Sequence, residues 1–385
     1  MGIRRVLAAG GLAAGLFAVG AQADLAPEKI PNSATVGTPY PASYVMVHDF
    51  AFSSIIDSSF SLVDIDTGTF IGMLSAGQFA TLDFSPARQK FYVGETVHTK
   101  GARGERQDFI VVYDYANLKL VKEIPLQPRR NNSVVLKAST GITSDGRFLG
   151  VYNLNPGSSV TVIDLDSEAI VSEIEAAGCA LVYPDMTRGF FMLCGDGTLL
   201  SVKLDEQGEA IERHRSEPVN DVDKDPLSEK ASRINGTWYF VTYAGEVQPV
   251  DATGDLPVPG ERWWLATEKE RAANWRPAGW HGTAGSDSAG LLWVGMTPNG
   301  YPGSHKDPAP EVWVFDVEKK KRIERIKLRT PAISIAVTGE KSPRLVVANA
   351  EAALDVYDGR TGKHLNTVYE VGETPFQVHA VGNAN

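Results

Sequence analysis

The sequence predicts an all-β fold, specifically a seven-bladed β-propeller whose C-terminal strand closes the first blade. Two observations predict it. A short β-rich run returns seven times along the chain, and a strand without a hairpin partner lies at each end of the repeats. One copy cannot bury its apolar face alone, so consecutive copies are expected to pack on one another around a common axis.

The repeated run ends in Asp in six of its seven copies, and a turn and a second strand follow it. Upstream of most copies a further hairpin has its own turn, such as Ser144-Asp145-Gly146. The ends lie about 49 residues apart on average, and a four-stranded blade takes about 40 to 50 residues. The seven ends are Asp64, Asp114, Asp164, Lys203, Asp251, Asp316 and Asp358. An apolar residue follows five of them ten positions later, at Leu74, Ile124, Ile174, Ile326 and Val368. We interpret the repeated Asp residues as turn caps rather than as acids or bases.

The two ends of the chain predict how the ring closes. Tyr44–Asp49 is a strand with no hairpin partner before it, and residues 376–381 form a strand with none after it. Placing the C-terminal strand innermost in the first blade removes two exposed edges at once.

The longest interval, from Asp251 to Asp316, contains inserted material. Thr267 and Glu270 form a capping box, which predicts a short helix through Asn274. Five of the seven tryptophans lie between 263 and 293. Such a cluster could stack a quinone, but packing between blades is the commoner role of tryptophan in a propeller.

The N-terminal residues predict export. Arg4 and Arg5 precede an apolar run over residues 6–20, and Ala21-Gln22-Ala23 supplies the small residues of a cleavage site. The run is short for a membrane anchor, which needs about 20 residues. We therefore expect a signal peptide over 1–23, an extended arm over 24–40 and the propeller over 41–385, with the mature protein in the periplasm.

Charge and cysteine content limit the partners. Without Arg4 and Arg5 the chain has 35 basic and 47 acidic residues, a formal charge of −12. That excess argues against nucleic acid and anionic membrane surfaces as partners. The two cysteines, Cys179 and Cys194, predict a disulfide in an exported protein. Two free buried thiols are the alternative.

Motifs for catalysis are missing from the sequence. The seven histidines have no metal-ligand spacing, and the sequence contains neither a GxSxG elbow nor a phosphate-binding GxxxxGK[ST] loop. The acidic stretches at 164–166 and 221–225 lack the spacing of a calcium loop. We expect no catalytic residue and no metal site in this chain, so its function requires a partner or a ligand.

Four stretches of the sequence are distinctive when taken together. They are Arg103-Gly-Glu-Arg106 with the strand to Asp114, Cys179 through Cys194-Gly-Asp-Gly197, Trp275-Arg-Pro-Ala-Gly-Trp280, and Ser304-His305-Lys306 leading to Asp316. These stretches resemble one family, the heavy subunits of quinoprotein amine dehydrogenases of the methylamine and aromatic amine types. The resemblance runs in order over essentially the whole mature chain.

That resemblance implies a periplasmic heterotetramer of two heavy and two light chains. The cofactor, tryptophan tryptophylquinone, would lie on the small, cysteine-rich light chain, with none in this chain. The complex would oxidise primary amines to aldehydes and ammonia and pass electrons to a blue-copper protein such as amicyanin or azurin. The motifs divide between the two types, and we favour arylalkylamines slightly over methylamine.

The resemblance also implies one functional residue. Heavy chains of this family contribute a phenylalanine of the first blade to the substrate channel, and Phe52 matches it best by its distance from Asp64. Phe50 is the alternative register, and both phenylalanines could instead be core residues. Two other functions stay open: a free-standing periplasmic scaffold or lactonase-like propeller, and a quinone-binding dehydrogenase that acts alone.

Overall fold

The structure is a computed structural model that describes residues 34–184 and 188–382. The expected signal peptide over 1–23 lies outside the described residues, as do positions 24–33 of the expected arm. From Thr35 onward the chain forms one compact unit.

Nearly all regular structure in the described ranges is β-strand. The first part of the chain contains β1 (Tyr44–Asp49), β2 (Ser58–Asp64), β3 (Thr69–Ala76), β4 (Gln78–Ser85), β5 (Lys90–Lys100), β6 (Arg103–Asp114), β7 (Leu120–Leu126), β8 (Thr140–Ile142), β9 (Phe148–Asn153), β10 (Ser159–Asp164), β11 (Ala169–Glu175), β12 (Cys179–Pro184), β13 (Gly189–Cys194), β14 (Leu199–Leu204) and β15 (Ala210–Arg215).

The second part continues in the same way, with one short α-helix. Its elements are β16 (Ser232–Ile234), β17 (Thr237–Val241), β18 (Glu246–Asp251), β19 (Val258–Pro259), β20 (Trp263–Trp264), α1 (Glu268–Ala272), β21 (Arg276–Pro277), β22 (Thr283–Ser286), β23 (Leu291–Thr297), β24 (Ala309–Asp316), β25 (Lys321–Val337), β26 (Arg344–Asn349), β27 (Leu354–Asp358), β28 (His364–Val368) and β29 (Pro375–Ala380). Short 3-10 helices occur at Phe52–Ser54, Lys137–Ser139 and Ser304–Lys306.

Over the described ranges the strands form six antiparallel sheets in a β-propeller arrangement. Four sheets have four strands each, ordered β29-β1-β2-β3, β4 to β7, β8 to β11 and β12 to β15. A fifth has five strands, β16 to β20, and the sixth has eight, from β21 to β28. Five sheets therefore have the size of a single blade, while the sixth exceeds it. The all-β propeller prediction is confirmed, but hydrogen bonding alone does not divide the ring into seven sheets.

The larger sheet arises from one long strand. The first half of β25 pairs with β24, and its second half pairs with β26 from Ala332 onward. Because the backbone continues from one pairing into the other without a break, two sets of strands join into one sheet.

Ring closure occurs where the unpaired end strands predicted it. β29 pairs with β1 in an antiparallel register that includes Met46 opposite His379. On its other side β1 pairs with β2, so the C-terminal strand completes the sheet that begins the chain. Its bounds are one residue earlier than the predicted 376–381.

The repeated Asp residues stabilise the turns that follow their strands. The Asp64 carboxylate accepts a hydrogen bond from the Asp66 N–H at 3.0 Å, and Asp358 accepts from the N–H groups of Arg360 and Thr361. These are Asx turns, in which a short side chain takes the place of a backbone acceptor. Turn capping is therefore the role that the contacts show.

The core lies between neighbouring sheets. Phe60 and Leu62 of β2 belong to the same buried cluster as Phe91 and Val93 of β5 in the next sheet. Burying each such side chain contributes about 1.5–3 kcal/mol. The apolar residues predicted ten positions after the strand ends are also buried, each at 4 % exposure or less; they are Leu74, Ile124, Ile174, Ile326 and Val368.

The inserted helix has the predicted capping box. The Thr267 side chain accepts from the Glu270 N–H, and the Glu270 carboxylate accepts from the Thr267 N–H. The helix ends at Ala272, two residues earlier than expected, because Asn274 adopts a left-handed backbone with φ of 56°. No helix among the described residues is long and apolar enough to cross a membrane.

Candidate functional site

A cavity of about 410 Å³ lies where the innermost strands meet. Its walls come from β4, β8, β12, β16, β22, β29 and the second half of β25. The cavity is the axial channel that a propeller encloses. The strands that line it are far apart in sequence, so the polar groups on its wall are brought together only by folding.

An apolar cluster lies at the end of the channel where the innermost strands begin, and we call it the aromatic end. Phe50, Val135 and Phe376 are buried there. The Phe50 ring centroid lies 5.6 Å from that of Phe376 and 5.5 Å from that of Phe79. Trp280 packs on Phe376 at 5.6 Å. Val135 adjoins Leu136 and Lys137, which line the cavity, so this cluster covers one end of the channel.

The two candidate phenylalanines occupy different environments within this end. Phe50 is 3 % exposed, whereas Phe52, in the 3-10 helix Phe52–Ser54, is 56 % exposed. The Phe52 ring contacts those of Phe50 and Phe376 edge-on, with centroids 4.6 and 5.5 Å away. Phe52 is thus an exposed aromatic side chain that packs on two buried ones.

Asp49 holds this loop in place. Its carboxylate accepts hydrogen bonds from the Ala51 N–H at 3.1 Å and from the N–H groups of Glu373 and Thr374 at 2.8 Å each. Ala51 adopts a left-handed backbone with φ of 46°, which reverses the chain directly before Phe52. One side chain therefore ties the loop after β1 to the loop before β29.

The opposite end of the channel carries charge. A hollow of about 200 Å³ shares Leu82, Asp83, Pro184, Arg233 and Trp238 with the cavity and continues it beyond the innermost strands. Burial raises the pKa of Asp83 to about 6, and its Oδ2 atom is buried without a hydrogen-bond partner. We call this the charged end.

Two histidines, His281 and His379, line the channel, and a third, His48, is buried on the adjoining strand β1; each has a lowered pKa. Burial lowers the pKa of His48 to about 3 and holds those of His281 and His379 well below the ordinary value. His281 Nε2 lies 2.7 Å from Gln377 Nε2 and 3.2 Å from the Val135 carbonyl oxygen. These rings are therefore neutral at neutral pH and act as hydrogen-bonding groups.

No group of three or more His, Cys, Asp or Glu residues within 34–184 and 188–382 is arranged to hold a metal ion. The two cysteines form the predicted disulfide, with Cα atoms 3.9 Å apart. Cys179 and Cys194 are directly opposite each other on β12 and β13.

Phe50 and Phe52, the two candidate residues of the substrate channel, both lie at the aromatic end. Phe376, Trp280, Lys137 and Asp83 were not predicted as site residues. No local pattern marks them, because Phe376 lies 324 positions after Phe52 and meets it only through ring closure. Whether Phe52 lines a substrate channel stays a prediction.

The chain is similar to one protein family over nearly all of its length. The family model described as methylamine dehydrogenase heavy chain matches residues 41–381. The methylamine dehydrogenase heavy chain of Methylobacillus flagellatus is 27% identical over 345 residues, covering 88% of this chain and 85% of its own. The heavy chain of Methylorubrum extorquens is 26% identical over 364 residues, covering 92% and 87%.

Solved structures share the fold at lower identity. A dihydro-heme d1 dehydrogenase has a TM-score of 0.54 at 16% identity and covers 89% of this chain and 76% of its own. A putative 6-phosphogluconolactonase from Bacteroides fragilis has a TM-score of 0.56 at 11% identity, covering 88% and 98%. At such identities the likeness concerns the propeller fold alone.

Proposed function

The chain belongs to the methylamine dehydrogenase heavy chain family, and from this premise we propose that it is the non-catalytic subunit of a periplasmic amine dehydrogenase. Family membership makes it a subunit of an oxidoreductase and implies a light-chain partner. The proposed complex oxidises primary amines to aldehyde and ammonia and contains two heavy and two light chains. The family resemblance supports that stoichiometry.

We propose that the redox group, tryptophan tryptophylquinone, lies on the light chain. It supplies the electron acceptor for amine oxidation there, and a blue-copper protein, amicyanin or azurin, takes up the electrons. The heavy chain then has two tasks: to hold the light chain and to shape the path of the amine. Both suit a rigid ring whose innermost strands are held by the next strand of their own sheet and by the adjacent sheets.

The observation that carries the proposal is the exposed ring of Phe52. It is 56 % exposed, yet it rests on the buried rings of Phe50 and Phe376 and its loop is fixed by Asp49. A large aromatic side chain held rigidly at the surface is typical of an interface residue. With the light chain covering this end, Phe52 would lie in the seam through which an amine reaches the quinone.

The substrate we propose is a primary amine, arylalkyl or short aliphatic. The matched relatives are named methylamine dehydrogenase heavy chains. The turn Cys194-Gly-Asp-Gly197 and the loop from Ser304 to Glu311 instead resemble the aromatic amine type. The bulk of Phe52 at the seam is the feature of this chain that would discriminate between the two, because it sets the width of the path.

We also propose that the ring has seven blades. The cavity is lined by seven innermost segments, namely β4, β8, β12, β16, β22, β29 and the second half of β25. One blade consists of the second half of β25, which pairs with β26, followed in order by β27 and β28. The other blade consists of β22, β23, β24 and the first half of β25. The eight-stranded sheet is then two blades joined through β25.

Coexpression with a cysteine-rich light chain tests the function. We expect the two chains to copurify and to reduce a dye in the presence of a primary amine. The full chain purified alone should show neither quinone absorbance nor amine-dependent dye reduction. Activity of the lone chain would contradict the proposal and favour a self-contained dehydrogenase, whereas a failure to bind any light chain would favour a free-standing propeller.

Export is tested separately. N-terminal sequencing of the exported protein should give a sequence that begins at Asp24.

A further inference from the structure

Lys137 is a cation on the wall of the axial channel. Its Nζ donates a hydrogen bond to the Val378 carbonyl oxygen at 2.6 Å. An ammonium group has three protons to donate, and this bond uses one. Among the residues that the structure describes, no carboxylate forms an ion pair with it. Burial lowers the pKa of Lys137 to about 8, so the group is still mostly protonated at neutral pH.

The surroundings of Lys137 add positive charge rather than remove it. Lys230 also lines the cavity, with its side chain 8 % exposed and its Nζ 4.3 Å from the centre of the Trp280 ring. Glu229 lies 3.5 Å from that ammonium and pairs with it. Lys137 and Lys230 both lower the pKa of His281. Glu229 pairs with Lys230 and not with Lys137, and the other carboxylate of the cavity wall, Asp83, lies at the charged end with Arg233. The wall around Lys137 and Lys230 therefore has a net positive charge.

An unpaired buried ammonium is costly unless an anion or water replaces its lost hydration. The channel has room for such an anion, since its volume of about 410 Å³ falls within the range of about 300–1,000 Å³ for small-molecule sites. Access would come from the charged end, because the aromatic end is covered. The site is thus reachable even with a light chain on the Phe52 side.

We propose that the axial channel binds a small oxyanion, inorganic phosphate or the carboxylate of a short organic acid, at Lys137. An oxygen of the anion accepts a charge-assisted hydrogen bond from Lys137 Nζ, the stronger kind of hydrogen bond. Lys230 contributes long-range attraction from the same wall. This site is separate from amine oxidation and does not depend on the proposed function.

Titration calorimetry on the full mature chain tests the site, with the light chain bound where the two copurify. Inorganic phosphate and succinate are titrated separately, at constant ionic strength in a buffer without other multivalent anions. We expect saturable binding at one site per heavy chain for at least one of them. Tighter binding of phosphate would identify an inorganic ligand, and tighter binding of succinate an organic acid.

Lys137→Met removes the charge and keeps most of the stem, so binding should weaken by about 10- to 100-fold, the loss of one hydrogen bond to a charged group. Lys119→Met, at an exposed position in the turn before β7, is the matched control and should bind as wild type does. If the Met variant does not fold, Lys137→Gln keeps a donor for the Val378 carbonyl and still removes the charge. Absence of binding for both anions, or equal affinity in the Lys137 variants and the wild type, would overturn the proposal.

Discussion

The two ends of the axial channel are built from different chemistry. At the aromatic end, Phe50, Val135 and Phe376 form a buried apolar cluster, and the exposed ring of Phe52 packs on Phe50 and Phe376. At the charged end, Asp83 and Arg233 border a hollow of about 200 Å³ that continues the channel. Apolar side chains held at a surface favour a protein partner, whereas a charged opening favours solvent and small solutes. The same ring can therefore hold a second chain at one end and admit a solute at the other.

Phe50→Ala tests whether the aromatic end is a true core. Phe50 is 3 % exposed, so its truncation should lower the free energy of unfolding by about 3–5 kcal/mol. Denaturant unfolding of the full chain measures this. Phe70→Ala, on the outer strand β3 and 56 % exposed, is the control and should cost less than about 1 kcal/mol. An equal loss of unfolding free energy in the two variants would mean that Phe50 stabilises the fold no more than an exposed phenylalanine does.

The disulfide supports the same end, because Cys179 is the first residue of the innermost strand β12. Replacing both Cys179 and Cys194 by Ala should lower the free energy of unfolding by about 3 kcal/mol, as expected in the chain-entropy model for a loop of about 15 residues. Thiol titration of the denatured, unreduced wild type should detect no free thiol. Two reactive thiols per chain would contradict the bond.

Asp83 allows a pH test of the charged end. Its pKa is raised from 3.8 to about 6, so the folded state binds a proton more readily than the unfolded state does. Stability is therefore lost as pH rises from about 4 to about 6, and the full penalty applies above that window. Asp83→Asn should be more stable than wild type at pH 7.5, by at most about 3 kcal/mol.

At pH 4 the Asp83→Asn variant and the wild type should unfold alike, because the wild-type carboxyl is then mostly protonated in the folded state. Thermal unfolding at both pH values gives the comparison, and the difference between the chains cancels the contribution of the buried histidines. A variant that is less stable than wild type at pH 7.5 would show that the carboxylate is stabilised by a charge at that end.

Local patterns predicted the strands and turns. The repeated Asp residues lie at strand ends and cap the following turns, since an Asx turn needs only neighbouring backbone groups. Ring closure was also predictable, because the unpaired strands at the two chain ends lose their exposed edges when they pair with each other. The number of separate sheets was not, since continuity of β25 through Ala332 depends on how two blades meet.

The residues that line the channel could not be predicted from the sequence. Lys137 begins the short 3-10 helix Lys137–Ser139 between β7 and β8, and Val378, whose carbonyl oxygen accepts its hydrogen bond, lies 241 positions later. Nothing near Lys137 in the sequence distinguishes it from a solvated lysine. The family resemblance indicated Phe50 and Phe52 equally. Their difference in exposure distinguishes the two residues, and it depends on packing against Phe376 at the far end of the chain.

The central claim is that the aromatic end forms the seam with a light chain and that Phe52 sets the width of the amine path. The most direct measurement is kcat/KM of the assembled complex for a short aliphatic amine and for an arylalkylamine, in wild type, Phe52→Ala and Phe70→Ala. The two mutated rings are equally exposed, at 56 % each. Phe52→Ala should change the ratio of the two kcat/KM values by the equivalent of about 1–3 kcal/mol, typical of reshaping a hydrophobic path. It should leave assembly and the melting temperature close to wild type, and Phe70→Ala should leave the ratio unchanged. An unchanged ratio in Phe52→Ala, in a complex that still assembles, would contradict the claim.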